Sequence, residues 1–140
     1  MSGSTAIFWP MIVHVALVYA VYVLMSRRRV GAVRAGTATV SQFRHNQNEP
    51  EESLFARNNL ANQFELPTLF HPVCIALYVT GGAGTVPVII AWIFALSRIA
   101  HTSVHVTTNR IRYRRPIWIV GFLAVGALWL WLALHLAGLV

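Results

Sequence analysis

From Ala6 to Met25 the chain carries no charged side chain, and from Pro116 to Val140 it again carries none. About 20 apolar residues are enough to cross a ~30 Å hydrocarbon core as a helix, which satisfies its own backbone amides where there is no water. Neither stretch has the polar face that a soluble helix turns to solvent. These two segments alone identify an integral membrane protein.

The placement of charge agrees. Charged residues make up 11% of the chain, against about 25% in a soluble domain. There are eleven arginines and no lysine, four glutamates and no aspartate, and all lie between Arg27 and Glu65 or between Arg98 and Arg115. A net charge of +7 is compatible in principle with nucleic acid. Here the basic segments abut hydrophobic spans and hold few aromatics, so they are read as contacts with anionic lipid headgroups, with no nucleic-acid partner. The single cysteine, Cys74, has no metal-ligand spacing around it and is read as a small apolar residue inside a span. No metal site is expected.

The expected fold class is an all-α integral membrane bundle of four transmembrane helices. It forms one domain over residues 1–140, with helices at about 6–25, 58–80, 86–106 and 116–140. The first span is not a cleavable leader, because its arginines, Arg27 to Arg29, follow the apolar run. Residues 30–56 are polar and read as a loop with one short helical turn, in which Glu51 or Glu52 helps to start the next helix. Gly81 to Thr85 make a tight uncharged turn. Segment 27–57 contains six arginines and segment 98–115 five, while the turn has none. The positive-inside rule then puts both basic segments in the cytoplasm and both termini outside.

The two middle spans are not purely apolar. Leu66 to Thr80 rises only about 22 Å and Val86 to Ser97 even less, so Glu65, Asn62, Arg98, His101 and His105 must enter or edge the membrane. Asn58, Asn62 and Glu65 repeat at i, i+4 and i+7; Arg98, His101 and His105 repeat at i, i+3 and i+7. Each set is one helical stripe. Across an antiparallel hairpin the two stripes sit level, with the Arg110 to Arg115 segment above them. Ionisable groups in a membrane face the bundle interior and pair. Such a cluster either locks two helices together, with Glu65 and Arg98 as a buried ion pair, or receives a ligand. Its excess of arginine and histidine over one glutamate points to an anionic one.

At these residues a resemblance becomes visible. Asn62-Gln63-Phe64-Glu65-Leu66-Pro67-Thr68-Leu69-Phe70 resembles the second-helix signature of the MAPEG family, the membrane-associated proteins of eicosanoid and glutathione metabolism. Arg98-x-x-His101-x-x-x-His105, followed by Asn109 and Arg114, is similar to that family's third helix and following loop. The resemblance implies a homotrimer that binds glutathione near the cytoplasmic face between subunits. It implies contacts with glutathione from Asn62, Glu65, Arg98, His101 and, less directly, Arg57, with Glu65 on the tripeptide's amino group. Arg114 would stabilise the thiolate, and His105 stands where eukaryotic enzymes have tyrosine. The proline follows Glu65 by two positions, where characterised enzymes place it three or four after. The variant looks like a bacterial branch, which implies the inner membrane.

The resemblance therefore implies a glutathione-dependent transferase or peroxidase acting on lipophilic electrophiles that enter from the bilayer. The alternative is a non-catalytic membrane protein of the same fold, whose polar cluster is structural or binds another anion. A transporter fits less well, because one polar cluster at one end of four short helices offers no alternating path.

Overall fold

The computed structural model describes residues 3–140. A 3-10 turn at Thr5–Ile7 leads into α1 (Phe8–Arg34), followed by α2 (Val40–His45), α3 (Glu51–Asn62), α4 (Pro67–Val79), α5 (Thr85–Val106) and α6 (Ile111–Leu136). No strand occurs among the described residues. Three helices are long and apolar enough to cross a membrane: Thr5–Arg34 with its leading turn, α5 and α6.

Two ends of the bundle are defined by contacts. At one end, the Gly3 and Ser4 amides donate to the carbonyls of Tyr78 and Ala83 at 2.7 and 2.9 Å. His135, near the end of α6, donates from Nε2 to the Thr80 carbonyl at 3.0 Å. Both termini thus meet at the α4–α5 turn, where Gly81 takes a φ of +80°. The other end holds the close of α1, all of α2 and α3, and the α5–α6 connection. Ten of the eleven arginines lie there, and Arg98 lies two helical turns inside it.

The helix boundaries depart from expectation in three places. First, α1 continues to Arg34, because nothing breaks it before Gly36, which adopts a φ of +72°. At 27 residues it is about 40 Å long, so its last turns clear a ~30 Å hydrocarbon core. Second, the segment expected as one helix over 58–80 is two. Pro67 has no amide hydrogen and its ring excludes the carbonyl four residues back, so α3 tightens and ends, and Pro67 starts α4 at its first turn. The Gln63 amide bonds the Asn59 and Leu60 carbonyls together, as a closing turn does. Third, the Arg110 to Arg115 segment is not loop: Arg110 caps α6, and Ile111 to Arg115 form about its first turn and a half.

The core lies between α4, α5 and α6. Phe70 and Phe94 stack at 4.1 Å between ring centroids, with Val73, Cys74, Leu77, Val125 and Leu128 buried around them. α5 and α6 approach closely at Gly121, where a β-carbon would stand 2.8 Å from Ser97 Oγ. Outside the membrane-length helices, Glu49 fastens the α2–α3 link to α1. Its carboxylate, 1% exposed, takes a two-pronged bond from Arg29 at 2.8 and 3.0 Å and another from Arg57 at 3.3 Å.

Candidate functional site

The first turn of α6 and the last turns of α5 meet at Asn109, which holds a left-handed φ of +49°. That conformation suits asparagine better than most residues and aims its carboxamide oxygen at Arg114, whose guanidinium donates to it. Next to this bond lies a recess of about 280 Å3 lined by Asn62, His101, Ile111, Arg114, Arg115 and Trp118. It sits at the N-terminus of α6, whose first turn contains no acidic residue. A helix N-terminus is the positive end of the helix dipole, so arginines there raise the demand for an anion.

Behind the recess lies Arg98, only 1% exposed. One guanidinium nitrogen donates to the Asn62 carbonyl at 3.3 Å. Arg98 Nε and Nη1 have no partner, and neither does His101 Nδ1. Buried polar atoms are nearly always bonded, and an uncompensated buried cation costs several kcal/mol. Among the described residues no carboxylate is within ion-pair distance of Arg98: both ion pairs belong to Glu49. The Glu65–Arg98 ion pair, one of the two alternatives read from the sequence, does not form among the described residues. An arginine and an imidazole with free hydrogen-bonding capacity, behind a recess walled by two more arginines, fit a ligand bearing carboxylates or a thiolate.

The expected site residues divide. Asn62, His101 and Arg114 line the recess, Arg98 meets it only through its bond to the Asn62 carbonyl, and Arg115 joins the lining while Arg112 does not. Glu65 does not share the stripe of Asn62, because the chain turns between Gln63 and Leu66; it lies exposed on the subunit surface. Asn62 bonds back to the Asn58 carbonyl at 2.8 Å. Arg57 is elsewhere, donating to Asn46 Oδ1 at 3.1 Å and to Glu49. His105 is 3% exposed and reaches the recess only through the edge of the His101 ring, 5.4 Å away between centroids.

Sequence reasoning missed a second polar system. Asn59, Gln63 and Thr102 form a buried triangle, with Gln63 Nε2 donating to Asn59 Oδ1 and to Thr102 Oγ1 at 3.0 Å each. Thr102 Oγ1 donates to Asn59 Oδ1 at 3.2 Å, and Asn59 Nδ2 donates to His105 Nδ1 at 3.3 Å. From α1, His14 Nε2 donates to Gln63 Oε1 at 3.1 Å, and His14 Nδ1 meets His71 Nε2 at 3.0 Å. His14 thus ties α1 to the close of α3 and to α4. The available signal was Asn59 and Gln63 at i and i+4, a stripe one residue over from Asn58 and Asn62.

With this geometry in place, comparison with known proteins gives one match. The family model described as MAPEG family matches residues 7–134. No curated protein and no solved structure shows a match.

Proposed function

The chain belongs to the MAPEG family, and we propose that it is a membrane-bound, glutathione-dependent transferase or peroxidase acting on lipophilic electrophiles. The observation that carries this reading is Arg98, buried with two unpartnered nitrogens beside the arginine-lined recess. In this reading Arg98, His101 and Asn62 hold the anionic peptide, and Arg114, steadied by Asn109, faces the sulfur. A neighbouring cation favours the thiolate over the thiol. The thiolate attacks the electrophile, a sulfur–carbon bond forms, and the leaving group departs with the electron pair. With a hydroperoxide, the thiolate instead attacks the terminal oxygen: a sulfur–oxygen bond forms to give the sulfenic acid as the oxygen–oxygen bond breaks, and the alkoxide leaves with the electron pair and takes a proton to become the alcohol.

The fold is read as four membrane traverses, the second made of α4 with the end of α3, in a multi-pass protein of a bacterial inner membrane with both termini outside. It assembles as a homotrimer in which a neighbouring subunit completes the recess. Glu65 supports this assembly: an exposed carboxylate at the membrane edge is costly without a partner, and a neighbour that covers it brings it to the ligand's ammonium group. His105 acts through His101, which it touches, and Arg57 serves the Glu49 clamp.

Calorimetric titration of glutathione into detergent-purified protein tests the reading. Saturable binding is expected, weakened strongly in Arg98→Ala. A wild-type protein that binds no glutathione overturns the enzymatic reading and leaves the cluster as a lock between helices.

A further inference from the structure

The close of α1 and the short α2 form an elbow at the arginine-rich end. Gly36, with its left-handed φ of +72°, ends α1. Between the last two turns of α1 and α2 lies a recess of about 330 Å3, lined by Arg29, Val30, Val33, Arg34, Val40 and Phe43. Its walls are fixed by bonds outside it. The Thr39 amide donates to Gln42 Oε1 at 2.6 Å, which starts α2, and Gln42 Nε2 donates to the Asn48 carbonyl at 3.0 Å. Arg29, clamped by Glu49, lies over the Phe43 ring, 5.2 Å from its centroid.

Depth and charge define what this recess can hold. Val23, Ser26, Val30 and Val33 repeat at i, i+3, i+7 and i+10 and are all exposed, so they form one stripe of α1. The stripe faces away from the buried Pro10, His14 and Val21. Val30 and Val33 follow Arg27 by three and six residues, about 5 and 9 Å along the helix, which is the depth of the headgroup layer. Val30, Val33 and Val40 therefore expose apolar surface where the surroundings are polar. Arg34 stands beside them. Among the described residues it has no carboxylate partner, since both ion pairs belong to Glu49. Glu51 and Glu52 line a separate recess with Arg28 and Ala32, on the opposite side of α1.

We propose that this elbow binds one phospholipid with an anionic headgroup, its phosphate on Arg34 and its chains over Val30, Val33 and Val40 and down the stripe to Val23. A guanidinium presents several donors to phosphate oxygens, and the pairing is charge-assisted. A zwitterionic head would bring its own cation to an end that carries ten arginines against four glutamates, whereas an anionic head relieves that excess. A second copy of the chain is the poorer occupant. It would set the same positive end against this one, and no carboxylate lines the recess to receive it. The bound lipid covers the exposed valines and holds α2 at the membrane surface. The recess shares no residue with the one lined by Arg114 and Arg115, so the site does not rest on the glutathione reading.

The test titrates the full chain in mild detergent with a phosphatidylglycerol and a phosphatidylcholine of equal chains, read by native mass spectrometry. One phosphatidylglycerol per subunit should be retained, about tenfold more tightly than the phosphatidylcholine, the effect of one charge-assisted bond. Arg34→Gln should bring the two lipids level. Arg112→Gln removes an exposed arginine at the same end but outside the recess, and should leave the preference intact. Both variants should unfold at the wild-type temperature. A phosphatidylglycerol with a photoactivatable chain should label residues within 23–34 and 40–43, and excess inorganic phosphate should not displace it. Equal retention of both lipids by wild type would overturn the proposal. So would an equal loss of preference in Arg34→Gln and Arg112→Gln, which marks diffuse surface charge, or displacement by inorganic phosphate, which marks a site for a free anion. A Val40→Cys variant that crosslinks quantitatively to a second copy in the membrane would overturn it too, since protein would then fill the recess.

Discussion

At Arg98 a guanidinium that is 1% exposed keeps two nitrogens without partners, and the proposed reading divides the work of meeting an anion there among neighbouring residues. Glu65 and Arg114 can be separated experimentally. If a neighbouring subunit covers Glu65 against the ligand's ammonium, Glu65→Gln weakens glutathione binding by about 2–5 kcal/mol, the usual loss when one partner of a desolvated charge pair is removed. In the proposed reading, Arg114 faces a charge that exists only after deprotonation. Arg114→Ala is therefore expected to keep most of the binding, raise the pKa of the bound thiol and slow turnover with an aryl halide. The thiolate's near-ultraviolet absorbance follows that titration in the complex. Should Arg115→Ala abolish both signals while Arg114→Ala leaves them intact, Arg115 is the thiolate's partner. Asn62, Arg98, His101 and Arg114 were legible because charged and polar residues within spans are too costly to be incidental. Asn59, Gln63, Thr102 and His14 were not. Two adjacent stripes of α3 are equally polar, and only packing against α1 and α5 decides which one is buried.

Elements fail in different ways from residues. The α5–α6 pair depends on the bare backbone at Gly121, where a β-carbon would meet Ser97 Oγ at 2.8 Å, and that hydroxyl is held by the Phe94 carbonyl at 2.7 Å. Gly121→Ala should destabilise the protein by about 1–3 kcal/mol, and Ser97→Ala should recover part of this in the double variant, read by thermal unfolding in detergent. The α2–α3 link depends on Glu49. Burial pushes its carboxyl pKa upward, but the Arg29 bonds and the charges of Arg29 and Arg57 outweigh burial and hold it below its ordinary 4.5. With the folded pKa depressed, the stabilisation is complete above about pH 4.5 and is lost as pH falls through the folded value. Limited proteolysis of segment 35–50 should accelerate only below that pH in wild type, and at all pH values in Glu49→Gln. Helix existence was legible from apolar runs, whereas the break at Gln63 to Leu66 was not. Pro67 announces it, but the requirement to span the bilayer argued for reading straight through.

For the whole molecule, the distribution of arginine and the exposed face of one subunit make a joint demand. The termini and the α4–α5 turn share one end, and ten of the eleven arginines crowd the other, so by the positive-inside rule the arginine end is expected in the cytoplasm. Reporter fusions at Val140 should read as external, and a cytoplasmic reading would move the recess to the wrong side for a soluble thiol peptide. The same end of the subunit leaves Asn58, Phe64 and Glu65 exposed, a patch whose polar members hydrocarbon would solvate poorly. Burying it against another copy is the arrangement that the proposed homotrimer would supply. Native mass spectrometry from mild detergent should show three copies, and a cysteine at position 58 should crosslink between subunits. Glu65→Leu separates assembly from ligand binding. If Glu65 serves only the glutathione ammonium, the variant stays trimeric and loses affinity. If the carboxylate instead pairs with a neighbour's arginine, trimers dissociate before any ligand is added. Monomers and dimers alone in the wild type would remove the trimer, and the recess would then have to bind its anion within a single subunit.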